Sequence, residues 1–102
     1  MVDPLLIKRW KVTEAILGRA RRHLLRALPE TSEGLAHQLR QFDEYIDHNE
    51  LELAMEVLAD IGVEHQCRGA FWRNLERAAE SMELLERSFE YRERFHAILQ
   101  SS

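Results

Sequence analysis

The sequence predicts an all-α fold: a compact antiparallel bundle of four to five helices in a single helical domain spanning 1–102. Three observations carry this. Apolar residues recur at steps of three and four through most of the chain, the period of one face of an α-helix. Two prolines and four glycines in 102 residues are too few turn formers for a loop-rich β fold. A composition of 45% hydrophobic and 31% charged residues is that of an ordinary globular domain with one modest core.

The first helix starts at Asp3-Pro4, a capping side chain followed by proline at the first helical position. Leu6, Trp10, Thr13, Leu17, Ala20, Leu24 and Leu28 follow at steps of 4, 3, 4, 3, 4 and 4, one continuous stripe. Pro29 ends it. A helix over 4–28 spans roughly 37 Å at ~1.5 Å per residue.

Thr31 and Ser32 offer caps for a second helix, whose stripe is Leu35, Leu39, Phe42 and Ile46. His48-Asn49 breaks the pattern, and Asn49 with Glu52 three residues on has the spacing of a capping box. Leu51, Ala54, Val57, Leu58 and Ile61 form the buried face of helix three. Gly62 stands where a left-handed C-terminal cap is expected, leaving 63–69 as a loop.

Phe71, Leu75, Ala78 and Met82 line the next helix, with Leu85 and Phe89 as candidate extensions of its stripe. A later stripe runs through Leu84, Tyr91, Phe95 and Ile98. On a helical wheel the two diverge by roughly 140°, taking ~100° per residue. A break at 82–84 lets both face one core, so the pattern predicts helix four over 70–82 and helix five over 85–99.

Charge is distributed unevenly. Residues 1–28 hold seven Lys/Arg and two acids, a net of +5; residues 29–102 hold seven Arg and sixteen acids, a net of −9; the sum is −4. The stretch 41–67 carries eight acids (Asp43, Glu44, Asp47, Glu50, Glu52, Glu56, Asp60, Glu64) and no Lys or Arg. Glu52, Glu56 and Asp60, spaced by four, predict an outward ridge on helix three, locally unfavourable by a few tenths of a kcal/mol per pair, on the order of ordinary like-charge costs. Asp43, Glu44 and Asp47 converge on the same corner from helix two. Two readings compete for this surface: a solvated face partly neutralised by helix one, and a docking surface for a cationic partner whose encounter rate the field raises. On the basic outer side of helix one (Lys8, Arg19 and Arg26, with Arg9, Lys11 and Arg22 nearby), pairing with the acidic helices, within the molecule or between subunits, is favoured over nucleic-acid binding. The chain is acidic and lacks a helix-turn-helix signature and an aromatic stacking platform.

Motifs that carry chemistry are missing. There is no Gly-rich phosphate loop, no Cys-x-x-Cys and no Gly-x-Ser-x-Gly. Glu93-x-x-His96 has the spacing of a di-iron ligand pair, but such a bundle site needs a second Glu-x-x-His and two more glutamates, and no second copy of the motif occurs. Glu33/His37 and Glu44/His48 read as surface pairs, and Cys67 beside His65 as an incidental thiol without a base and orienting group. The expectation is a non-enzyme with no metal or cofactor. No apolar run reaches the ~20 residues of a membrane helix. The N-terminus does not read as a secretory signal. A lone cysteine fits a reducing compartment, which together predict a cytoplasmic location.

Trp10, Phe42, Phe71, Phe89 and Phe95 fall on apolar stripes and are expected in the core. Trp72 and Tyr45 fall to the side of theirs, in the position of interface anchors. Tyr45, among Asp43, Glu44 and Asp47, is the leading candidate for a binding hot spot.

The segment Glu44-Tyr45-Ile46-Asp47-His48-Asn49-Glu50-Leu51-Glu52-Leu53-Ala54-Met55-Glu56-Val57-Leu58-Ala59-Asp60 resembles the central motif of small bacterial immunity proteins of the MafI-like, contact-dependent-inhibition type. Phe71-Trp72 and Ala78-Ala79-Glu80-Ser81-Met82 resemble the helix downstream of it. The resemblance implies a protein that neutralises a cognate bacterial toxin by stoichiometric binding. Many such toxins are nucleases, whose clefts are cationic because they hold phosphate backbones. The expected partner-binding residues are then Asp43, Glu44, Tyr45, Asp47, Glu52, Glu56 and Asp60. The alternative is a helical adaptor or regulatory protein that self-associates, as a homodimer, through helix one.

Overall fold

Five helices run in the order α1 (Pro4–Ala27), α2 (Glu33–Asp47), α3 (Leu51–Glu64), α4 (Ala70–Ser81) and α5 (Leu85–Ser101). The computed structural model describes residues 3–28, 32–67 and 69–101, the side chains only as far as residue 97. The expected stop at Pro29, the Thr31 cap and the core role of Ile98 fall outside the described residues and side chains. Among the described residues there is no strand, as the 3.6-residue periodicity requires.

Helix starts follow the local chemistry. The Asp3 carboxylate accepts the Leu5 N–H at 2.9 Å, and the Ser32 hydroxyl accepts the Leu35 N–H at 3.1 Å. The expected Asn49 capping box does not form: the residue at the α3 N-cap is Glu50, with no side-chain cap. Asn49 instead closes α2. It sits at φ 59°, its N–H donates to Ile46 O at 3.0 Å, and the Glu50 N–H donates to Tyr45 O at 2.8 Å. That pair of bonds is a Schellman motif, which satisfies carbonyls the helix end would otherwise leave open.

The same motif closes the next two helices. Gln66, at φ 53°, ends α3 with Cys67 N–H donating to Gly62 O at 2.9 Å. Glu83, at φ 59°, ends α4 with Leu84 N–H donating to Ala79 O at 2.9 Å. The predicted break at 82–84 is therefore a real reversal, and it brings the two diverging stripes onto one core. Gly62 is not the cap expected of it. It lies buried inside α3, and a Cβ there would stand 2.9 Å from Trp72 Cζ2 and also collide with the Phe71 ring. Its missing side chain is a packing requirement between α3 and α4.

α4 is the middle helix. It packs against α1 on one side and α5 on the other, while the α2–α3 hairpin closes over α1 and α4. α1 runs antiparallel to α4: Thr13 Oγ1 lies 2.7 Å from Ser81 Oγ, and Leu24 shares a cavity wall with Phe71. The core gathers Leu17, Ala20 and Leu24 of α1, Leu35, Leu39 and Phe42 of α2, Met55, Leu58 and Ile61 of α3, Phe71, Trp72 and Leu75 of α4, and Tyr91 of α5. Thr13, on the predicted stripe, is fully buried, and its hydroxyl also donates to Arg9 O at 2.9 Å.

Several aromatics change places relative to expectation. Trp72 is a core residue, 2% exposed; its ring meets Phe71 edge-on at 5.2 Å and its indole N–H donates to Cys67 O at 2.8 Å. Phe89 and Leu85 are on the surface, 61% and 74% exposed, because the turn at Glu83 rotates α5 away from the stripe of α4. Trp10 is only half-buried. Among the described residues, no helix is long and apolar enough to cross a membrane.

Candidate functional site

The seven expected contact residues do not form one uncompensated patch. Asp43 is held by Arg21 of α1, whose Nε and Nη2 donate to its two carboxylate oxygens at 3.2 and 3.1 Å. Glu52 accepts from Arg87 Nε at 2.9 Å, and the same guanidinium donates from Nη2 to Glu56. The ridge on α3 is therefore not a free outward edge. Its first two members turn toward α5, where Glu56 is half-buried. Asp43, Glu52 and Glu56 leave the set of unpaired carboxylates, because arginines distant in sequence reach them once the helices pack.

Glu44, Asp47, Glu50, Asp60 and Glu64 make no ion pair among the described residues. Three of them, Glu44, Asp47 and Glu50, are exposed at the tight α2–α3 corner, where the Schellman turn brings the end of one helix onto the start of the next. Asp60 is exposed about nine residues farther along α3, roughly 13 Å at the helical rise. Tyr45 lies at the corner half-buried and packed against the core, so only part of its ring is available to a partner. Asp47 also lines, with Glu14, Gly18, Phe42, Asp43 and Ile46, a shallow groove of about 250 Å³ between α1 and α2.

Within the molecule, α1 neutralises the acidic helices only in part, as one of the two readings has it. Of the α1 cations, Arg21 pairs with Asp43 and Arg9 with Glu83 at 3.4 Å. Lys8, Lys11, Arg19, Arg22 and Arg26 make no ion pair among the described residues. The clamp on α3 comes from α5, through Arg87.

Two buried polar features were not legible in the sequence. Glu76 is 1% exposed and held between Arg73 Nη1 at 2.8 Å and Arg92 Nε at 2.7 Å. Burial alone would raise its pKa, but the hydrogen bonds and charge of Arg92 and Arg73 outweigh it and hold the carboxyl below its ordinary range. This group ties α5 to α4 through Arg92. Tyr91, 1% exposed, has its ring centroid 6.0 Å from that of Trp72 with the planes tilted by 34°; burial pushes its phenol pKa up, against the opposing charge of Arg87. A hint was available: Arg73, Glu76 and Glu80 share one face of α4 at steps of three and four, but which face packs is a tertiary decision.

Cys67 is buried and desolvation raises its thiol pKa, the opposite of an activated nucleophile. With His23, His65 and Phe71 it lines an open depression of about 520 Å³, yet among the described residues no three His, Cys, Asp or Glu side chains converge as metal ligands. At the α2–α3 corner the surface carries the carboxylates of Glu44, Asp47 and Glu50, unpaired among the described residues. In comparisons with known proteins, the chain matches no family model, no curated protein and no solved structure.

Proposed function

We propose that this chain is a non-enzymatic binding protein that covers a cationic surface of a protein partner with its α2–α3 corner, and that the partner is a bacterial toxin it neutralises as an immunity protein. The observation that carries the reading is the corner: Glu44, Asp47 and Glu50 exposed without ion pairs among the described residues, beside a half-buried Tyr45, in a stretch from 41 to 67 that contains no Lys or Arg. Carboxylates held on rigid helix ends need little reordering to meet arginines or lysines across an interface, and their field raises the encounter rate. The MafI-like resemblance spans the same turn and supplies the toxin as partner. The working contact set becomes Glu44, Tyr45, Asp47 and Glu50, with Asp60 toward its edge; Asp43, Glu52 and Glu56 act in the fold.

The test is protection and binding against the toxin domain encoded beside this chain's gene. Glu44→Lys with Asp47→Lys is expected to weaken binding about tenfold or more while leaving the circular-dichroism melt unchanged. Undiminished protection by that variant removes the corner from the mechanism, and a gene neighbourhood without a toxin removes the immunity reading.

A further inference from the structure

Two exposed faces at one end of the molecule complement each other. On α1, Leu5 and Val12 are 74% and 47% exposed and bracket Lys8 on one outer row, with Lys11 beside them. On α5, Leu85 and Phe89 are 74% and 61% exposed, and Glu86 and Glu93 stand three residues before and four after Phe89. Lys8, Lys11, Glu86 and Glu93 are exposed and make no ion pair among the described residues. One face is thus apolar with cations, the other apolar with carboxylates. Exposed leucines and a phenylalanine in such settings mark association surfaces.

We propose that this chain pairs with a second copy of itself, the outer face of α1 in each copy lying on the outer face of α5 in the other. The two faces begin at the same end of the molecule: Arg9, next to Lys8, is 3.4 Å from Glu83, two residues before Leu85, and Thr13 contacts Ser81 at 2.7 Å. A two-fold rotation that sets the α1 face of each copy on the α5 face of the other satisfies both contacts at once. A second copy carries both complements. A foreign anionic partner would use only α1, and a foreign cationic segment only α5. The α2–α3 corner takes no part, so this inference stands or falls apart from the proposed toxin docking.

The experiment is sedimentation equilibrium on the full chain at about 100 μM in low salt, a concentration that populates dimers of micromolar affinity. A dimer that weakens as salt is raised is expected. Lys8→Glu with Lys11→Glu puts like charges across both contacts, and so does Glu86→Lys with Glu93→Lys. Each variant alone is expected to dissociate at least about tenfold more readily. Mixed in equal amounts they present opposite charges at both contacts, and native mass spectrometry is expected to show a dimer holding one of each. Phe89→Ser tests the apolar half independently and is expected to weaken the dimer. A wild-type monomer at that concentration overturns the proposal. So does a mixture that stays monomeric, or reversed-charge variants that dimerise as well as the parent.

Discussion

Arg87 of α5 donates its Nε to Glu52 of α3 at 2.9 Å, across 35 positions of sequence, and its other arm reaches Glu56 one helical turn on. One guanidinium therefore joins two carboxylates whose i, i+4 spacing would otherwise make them repel. An apparently unfavourable ridge becomes a clamp between the third and fifth helices. Half-exposed pairs of this kind contribute modestly, since water screens them.

Replacing Arg87 by Gln releases both carboxylates and restores their repulsion. The expected cost is about 1 kcal/mol, read as a lower urea midpoint, with part of the loss recovered in high salt. An unchanged midpoint would show that the clamp contributes nothing to stability.

Gly62→Ala inserts a Cβ against the Phe71 and Trp72 rings, 2.9 Å from Trp72 Cζ2. Both rings are nearly fully buried and have no free direction to yield, so a loss of about 2 kcal/mol or more is expected. Gly34→Ala, in the same chain, meets nothing within 4 Å and is expected to be neutral or stabilising by up to about 1 kcal/mol, because alanine loses less backbone entropy in a helix. A clear drop in the thermal melt for Gly62→Ala, with no drop for Gly34→Ala, is the check.

Glu76 titrates below its ordinary range in the folded state. Its contribution is therefore fully present above the unfolded value of about 4.3 and is lost as pH falls through the lower folded value. Glu76→Gln is expected to destabilise the protein by about 2 kcal/mol at neutral pH, since it removes charged hydrogen bonds from two arginines. The difference from the parent should shrink as pH is lowered through that window. A gap that stays constant with pH in chemical denaturation would place the effect in shape alone.

Gln66 occupies the left-handed turn position at φ 53°, where a Cβ costs roughly 1 kcal/mol. Its side chain makes no hydrogen bond or ion pair among the described residues, so Gln66→Gly is expected to stabilise by about that amount. Gly69, at φ 54°, is the mirror test: Gly69→Ala should destabilise. A shared sign for the two changes in the transition temperature would contradict the backbone argument.

The helices were readable because their causes are local. The step pattern through Leu17, Ala20 and Leu24, the Asp3 and Ser32 caps, and the divergence of stripes at 82–84 each depend on residues within a few positions. The turns are less legible in the sequence. Asn49 was expected to start α3 and instead ends α2, and Gly62 was expected to end α3 and instead lies inside it. In both places the same local signal fits two roles; at Gly62 the choice falls to the rings of a neighbouring helix. Glycine at 62 answers to Phe71 and Trp72, and the left-handed positions went to Asn49, Gln66 and Glu83.

The candidate site divides in the same way. That residues 41–67 are acidic, and that Glu44 and Asp47 end a helix at a tight corner, follows from composition and period, which count neighbours along the chain. Which carboxylates stay open to a partner does not. Ion pairing depends on distances through space, and the arginines that reach Asp43, Glu52 and Glu56 come from 22 to 35 positions away. Nothing in a helical period reports which charged edge another helix will cover. The exposure of Leu85 and Phe89 was hidden for the same reason, since only the packing of α5 on α4 decides which of its two apolar rows is covered.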